Sequence, residues 1–421
     1  MKIILVGNHT CGNRGDGAIL RGLIDSIKKS NPEVSFDVIS RHPISSSYLL
    51  DVNVSPDILF DNWKRNGKGI VSKIYRLIER RIGPNIAMGK IEKKGLWRFL
   101  PLPKQYKQFQ EQLKEYDIVI QVGGSFFVDL YGTQQFEHAL CAMMTNKPIY
   151  LIGHSVGPFQ KKNFNKIANF IFNKVNALYL RENVSLELMK RSGISTSKCL
   201  QGSDTAWLVN NNDIHNPNYA LSYWLDLISQ NKVVAVTMRE LAPFDQRLGI
   251  SQHKYEEAFS KFIDKVIDKG FVVVAFSTCT GIESYHKDDR MIALTVKNLL
   301  KNKEKFHIIM DEFNDHEIGM LLRRCYLTVG TRLHSAIISM NFDTPAIAIN
   351  YEHKSLGVMQ QLDINELAVD VNDLITGDII QRFDYVIDNY VSIKEKVITS
   401  VAKERDLGHK TISDTLQMSD R

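Results

Sequence analysis

The densest set of chemically capable side chains is Thr328-Val329-Gly330-Thr331-Arg332-Leu333-His334-Ser335-Ala336. An apolar run ends there in a glycine, and a helix-period stretch opens with threonine, arginine, histidine and serine. Arginine presents a rigid bidentate fork to a carboxylate or phosphate, and histidine exchanges a proton near neutral pH. At a helix N-terminus the pair would grip an anion and do acid–base work on it.

Other polar loops also follow apolar runs. The first is Gly7-Asn8-His9-Thr10-Cys11-Gly12-Asn13-Arg14-Gly15-Asp16-Gly17, whose glycine spacing matches neither the dinucleotide fingerprint nor the P-loop. Anion or sugar binding through its backbone competes with a tight structural turn, so Asn13 is a loop candidate and Asp16 is either a base or a helix cap. In Gln121-Val122-Gly123-Gly124-Ser125-Phe126-Phe127-Val128-Asp129, Gly123, Gly124 and Ser125 line a second such loop, and Asp129 either orients a hydroxyl or stands as a surface carboxylate. His154, before Ser-Val-Gly-Pro, and Arg181, in Leu180-Arg181-Glu182, arrive at strand ends, which are not core positions. Asp204 and Lys354, the latter in Tyr351-Glu352-His353-Lys354, complete the candidates.

These loops need a scaffold that delivers them to one edge. Lys2 to Val6, Ile118 to Val122, Ile149 to Gly153, Ala177 to Leu180, Val233 to Thr237, Val272 to Ser277, His307 to Met310, Leu327 to Val329 and Ala346 to Asn350 are continuous apolar runs separated by helix-period stretches. Continuous rather than alternating runs belong to strands covered on both faces, so the expected class is α/β with doubly wound parallel sheets. The polar stretch Asn210 to Tyr219 suggests a boundary. The expectation is therefore two Rossmann-like domains facing a cleft, 1–210 and 220–365, with a helical segment over 366–421.

Composition excludes several classes. The chain has 421 residues, 53 Lys plus Arg against 47 Asp plus Glu, a formal charge of +6, 44% hydrophobic and 24% charged residues. That balance describes a folded protein with filled cores, and argues against disorder and against nucleic acid as a partner. Five scattered cysteines without a CxxC pair argue against a disulfide scaffold or structural metal. With no signal-like N-terminus and no spanning apolar run, the chain is expected in the cytoplasm. Between Asp61 and Glu115, however, 14 Lys or Arg stand against 5 Asp or Glu, interleaved with Trp63, Tyr75, Leu77, Ile78, Trp97, Phe99 and Leu100. This basic helical insertion suits either peripheral attachment to an anionic inner-membrane surface or simple solvation.

The opening Gly-Asn-His-Thr-Cys-Gly-Asn-Arg-Gly-Asp, Val-Gly-Gly-Ser-Phe, Gly-His-Ser-Val-Gly-Pro-Phe and Gly-Thr-Arg-Leu-His-Ser-Ala resemble the polysaccharide pyruvyl transferase family over nearly the whole chain to about Gln360. Gln121 to Tyr131 and Thr331 to Ser355 are most similar to its enterobacterial branch of colanic acid biosynthesis. Many members carry three glycines in the second loop, where this chain has Gly123-Gly124-Ser125. The resemblance implies a GT-B-like architecture, phosphoenolpyruvate as co-substrate without a further cofactor or metal, and a pyruvate ketal formed on a sugar of an exopolysaccharide, free or lipid-linked. It implies donor binding by Arg332, Leu333 and His334, with Arg181 and His154 contributing from the other domain. His334 is the candidate acid, and Asp16, Asp129 or Asp204 the candidate base. A nucleotide-sugar glycosyltransferase and a non-catalytic carbohydrate-binding subunit remain the alternatives.

Overall fold

The computed structural model describes residues 1–60, 70–351 and 353–419, with the side chains of all these but 70–80 and 353–355. Two compact units form: 1–10, 23–205 and 407–421 make the first, and 11–22 with 206–406 the second.

The first unit is built on a parallel sheet of eight strands: β1 (Lys2–Asn8), β2 (Ser35–Ser40), β3 (Val54–Pro56), β4 (Ile118–Gln121), β5 (Gly124–Phe127), β6 (Ile149–Val156), β7 (Ala177–Leu180) and β8 (Cys199–Gln201). Their spatial order is β3-β2-β1-β4-β6-β7-β8, with β5 pairing β6 outside that path. The second unit carries β9 (Val233–Thr237), β10 (Val272–Ala275), β11 (Phe306–Ile308), β12 (Leu327–Gly330), β13 (Ala346–Asn350) and β14 (Ala368–Asp370). Their order, β11-β10-β9-β12-β13-β14, is that of a doubly wound dinucleotide-binding sheet. The central strands β4, β6, β7, β9, β12 and β13 are buried at every position, as their continuous Val and Ile runs require. In each sheet the chain reverses direction beside the first strand, between β1 and β4 and between β9 and β12, and ligands of open α/β sheets bind beyond the carboxyl ends at such points.

Over its described residues, 70–115, the basic insertion forms a helical hairpin. Helix Ile70–Glu92 leads through a 3-10 turn, Leu96–Phe99, into helix Lys104–Leu113. Ala87, Met88, Tyr106, Phe109 and Leu113 enter the first core. Trp63 lies outside the described residues, as do the side chains of Tyr75, Leu77 and Ile78. No helix among the described residues is long and apolar enough to cross a membrane.

The segment expected to be helical over 366–421 also contributes a strand, β14, which completes the second sheet beside β13. Three residues are too few to show a period. Helices Val371–Thr376, Ile379–Asp388 and Tyr390–Ser419 follow, and the last reaches the first unit from Leu407 onward. There the His409 ring lies 2.9 Å from Ser26 Oγ.

Candidate functional site

In the second unit, β12 pairs with β9 so that Gly330 sits opposite Thr237. A Cβ on Gly330 would lie 1.8 Å from Thr237 Oγ1. That approach lets the Thr237 and Ser335 hydroxyls meet at 2.7 Å, while Ser335 donates back to the Arg332 carbonyl at 2.6 Å. The start of helix Leu333–Asn341 is thereby tied to β9, and Arg332 becomes its N-cap residue. Thr331 is fixed as well: its amide donates to the Thr237 carbonyl and its hydroxyl meets Tyr255 at 2.5 Å.

Arg332 reaches a buried partner. Its Nη2 and Nε donate to the two oxygens of Asp289, at 2.6 and 3.1 Å. Burial pushes the Asp289 carboxyl up from its ordinary range, against the opposing pull of the Arg332 guanidinium. Burial weakens the charged form of Arg332, yet Asp289 outweighs it and holds the guanidinium charged. A second arginine, Arg239, follows β9 directly, is 6% exposed and also pulls on Asp289. Arg239 lies over the Tyr351 ring at 4.4 Å, donates to its hydroxyl, and donates from Nε to the Glu240 carbonyl at 2.9 Å. Two guanidinium groups, those of Arg332 and Arg239, thus stand at the β9/β12 reversal and both act on the Asp289 carboxylate, while Arg332 shares its influence on Cys279 with the Asp16 carboxylate.

The glycine loop after β1 belongs to this unit. Arg14, 1% exposed, donates from Nη1 to the Cys11 and Gly12 carbonyls at 3.0 Å and from Nε to the Phe313 carbonyl. Its Nη2 donates to Thr280 Oγ1 at 2.9 Å and to Glu312 at 2.6 Å. All five donors are used, so Arg14 holds the loop. Asn13 receives the Gly15 amide at 3.1 Å and bridges Cys279. Asp16, in the first turn of helix Arg14–Ser30, is buried and acts electrostatically on Cys279 and Tyr285. Burial pushes the Cys279 thiol up to about 11, so it stays protonated. The His334 ring packs directly on Gly15. Lys354 lies in helix His353–Gln361, but its side chain falls outside the described residues.

The first unit holds its own cluster. Arg181, 2% exposed, donates to Asp204 at 2.5 Å, to Ser155 Oγ at 2.8 Å and to Ser125 Oγ at 2.8 Å. Ser125 is presented by Gly123, whose Cβ would strike the Gly153 carbonyl oxygen at 2.5 Å, and Gly124, with φ of +137°. Contrary to the strand-end expectation, His154 is a core position: β6 runs on to Val156 and buries the ring fully against Phe127, and burial, reinforced by Arg181, lowers its pKa to about 3. The ring is therefore neutral: Nε2 donates to the Gln121 carbonyl at 3.3 Å, and Nδ1 is a buried acceptor without a partner among the described residues. Asp129 receives the amides of Gln160 and Lys161, at 2.8 and 3.1 Å, and so steadies the loop after β6. Among the described residues no group of three His, Cys, Asp or Glu could hold a metal ion.

The structure thus gathers Arg332, Leu333, His334, Asn13 and Asp16 in the second unit, and Arg181, Asp204, Ser125 and His154 in the first. Arg239 and Asp289 were not among the candidates. Arg239 stands at a strand end, in Val233-Val234-Ala235-Val236-Thr237-Met238-Arg239, where the rule applied to Arg181 would have found it. Asp289, opening helix Asp289–Leu299, has no such cue.

Solved structures similar to this chain include UDP-GlcNAc 2-epimerase from Neisseria meningitidis (TM-score 0.59, 11% identity, 99% of this chain and 100% of that one). Anabaena HepE in complex with UDP-glucose is similar to the same degree (TM-score 0.58, 13% identity, 99% and 100%). At such identities the likeness establishes a GT-B-like fold alone. In sequence, the chain is 55% identical over 417 residues to the amylovoran biosynthesis protein AmsJ of Erwinia amylovora, covering 99% of each. Residues 13–353 match the polysaccharide pyruvyl transferase family, spanning the Arg14 loop and the Arg332–His334 turn, and the chain is a member of that family.

Proposed function

We propose that the chain transfers the enolpyruvyl-derived group of phosphoenolpyruvate to a sugar of an exopolysaccharide repeat unit, forming a cyclic pyruvate ketal. The carrying observation is the pair Arg332 and Arg239 around Asp289, with His334 two residues beyond Arg332. A donor bearing a phosphate and a carboxylate suits two arginines, and its methylene carbon needs an acid. Family membership and the amylovoran relative support an exopolysaccharide acceptor. A colanic-acid repeat unit, free or lipid-linked, is the acceptor we assign.

In this reading His334 gives a proton to the methylene carbon, which becomes a methyl group and leaves positive charge on the central carbon. A sugar hydroxyl adds there and yields its proton to a carboxylate, for which Asp16 is the candidate in the same unit. The carbon–oxygen bond to phosphate breaks, with Arg332 stabilising the departing charge. A second hydroxyl adds to the same carbon, and its proton leaves with inorganic phosphate. Phosphoenolpyruvate and a diol become a ketal and phosphate, with no further cofactor.

Calorimetry tests the donor. Phosphoenolpyruvate should bind the native chain, and Arg332→Ala should weaken it by about 1.5–3 kcal/mol, the worth of a charged hydrogen bond. Unchanged affinity in that variant, or binding of UDP-glucose in place of phosphoenolpyruvate, would overturn the reading.

A further inference from the structure

The tip of the helical hairpin has a composition the pyruvyl-transfer chemistry does not use. Residues 92–100 are all exposed, and four of them are large and apolar: Leu96 at 84%, Phe99 at 71%, and Trp97 and Leu100 at 40% each. Solvent-facing apolar side chains are ordinary when scattered, but four within five positions form a patch.

The tip is also ordered. A Cβ on Gly89 would lie 3.0 Å from the Arg98 amide nitrogen and 3.1 Å from Trp97 Cβ, so the 3-10 turn packs tightly on the end of helix Ile70–Glu92. Lys90 donates to the Arg98 carbonyl at 2.8 Å, and Arg98 donates to the Lys93 carbonyl at 2.6 Å while lying over the Phe99 ring. The amide of Lys94 closes on the Gly89 carbonyl at 3.2 Å. The apolar side chains are held outward on a fixed turn, which reduces the ordering cost of burying them elsewhere.

Charge names the occupant. From 81 to 107 the chain carries Arg81, Lys90, Lys93, Lys94, Arg98, Lys104 and Lys107 against Glu92 alone. An apolar wedge with an aromatic ring at its edge, collared by bases, matches the anionic headgroup region of a bilayer, where rings enter the interface and ammonium groups meet phosphates. A protein partner of mixed charge would meet a collar of one sign.

We propose that the Leu96–Leu100 turn is a membrane wedge that seats the chain reversibly on an anionic phospholipid surface. The wedge needs no spanning helix and is independent of the donor assignment.

The test is sedimentation of the full chain with vesicles of phosphatidylglycerol and phosphatidylcholine, and with phosphatidylcholine alone, at low and high salt. The chain should sediment with the anionic vesicles, and release on raising salt, because screening shortens the reach of the bases. Leu96→Ser/Phe99→Ser and Lys93→Glu/Lys94→Glu should each lower the bound fraction by about tenfold or more. These side chains are exposed, so the thermal unfolding of both variants should match that of the parent. Equal partition of parent and variants, a parent that stays in the supernatant, or self-association that disappears in Leu96→Ser/Phe99→Ser without vesicle binding would overturn the proposal.

Discussion

His334 rests on Gly15: a Cβ built there would lie 2.6 Å from the imidazole Cγ and Nδ1 and 2.7 Å from its Cβ. No side chain at position 15 leaves the ring where it is, because the contact reaches back to the root of His334. Gly15→Ala should therefore displace the imidazole while leaving Arg332 paired with Asp289. Turnover should fall about 10²-fold, the lower end of a general acid's contribution, with little change in donor affinity. Steady-state kinetics beside donor calorimetry check this, and full activity in Gly15→Ala would remove His334 from the chemistry.

Arg14 gives a stability prediction. Its guanidinium ties Cys11, Gly12, Thr280, Glu312 and Phe313 together inside the second unit. Lysine can replace the charge but not the five-donor fork. Arg14→Ala should destabilise the chain by about 3–5 kcal/mol in denaturant unfolding, because it leaves the Cys11, Gly12 and Phe313 carbonyls without their donor, whereas Glu312 keeps Arg290. Arg14→Lys should recover only a minor part. A loss below 1 kcal/mol in Arg14→Ala would mean that the loop holds without its clamp.

The pH dependence of the first unit should carry the signature of His154. Its folded pKa of about 3 lies below the ordinary histidine value of 6.5, so the unfolded chain takes up this proton first. The stability it confers is fully present above pH 6.5 and is lost as pH falls toward 3, by up to about 1.4 kcal/mol per pH unit. Urea unfolding between pH 7 and 5 should show a steeper fall for the parent than for His154→Gln. Parallel slopes would place a charged ring in the folded state.

The long buried strands were legible because both faces are covered and the Val and Ile runs stay unbroken, as in Val233–Thr237 and Ala346–Asn350. The chain hides β2 because Ser35–Ser40 exposes Ser35 and Asp37 and reads Ser-Phe-Asp-Val-Ile-Ser, without a continuous apolar run. β5 begins inside the loop that follows β4, at Gly124, and looks like loop in sequence. Arg332 and His334 stood out because glycine, arginine and histidine fall together after a strand. Asp289 did not, since its role depends on Arg332, which lies 43 residues away in the chain and reaches it only through the fold. The segment 11–22, a short loop and the first half of helix Arg14–Ser30, follows a strand of the first unit yet packs into the second, a placement set by Arg14's partners at Thr280, Glu312 and Phe313.

The buried pair Arg332–Asp289 predicts an asymmetry. Asp289→Asn removes the charge that holds Arg332 but keeps its shape, so Arg332 can swing to other acceptors, whereas Arg332→Leu leaves Asp289 buried without its main partner. The arginine variant should lose about 3–5 kcal/mol of stability and the asparagine variant less. Denaturant titration of both measures the difference, and equal losses would show that the pair acts through packing rather than charge.

Pyruvyl transfer is tested most directly by mass spectrometry of an exopolysaccharide repeat-unit saccharide incubated with the full chain and phosphoenolpyruvate, with phosphate release measured in parallel. One pyruvate ketal per modified saccharide and one inorganic phosphate per ketal are expected, with loss of both in His334→Ala. Transfer of a glycosyl group from a nucleotide sugar to the same saccharide, with no gain of pyruvate, would contradict it.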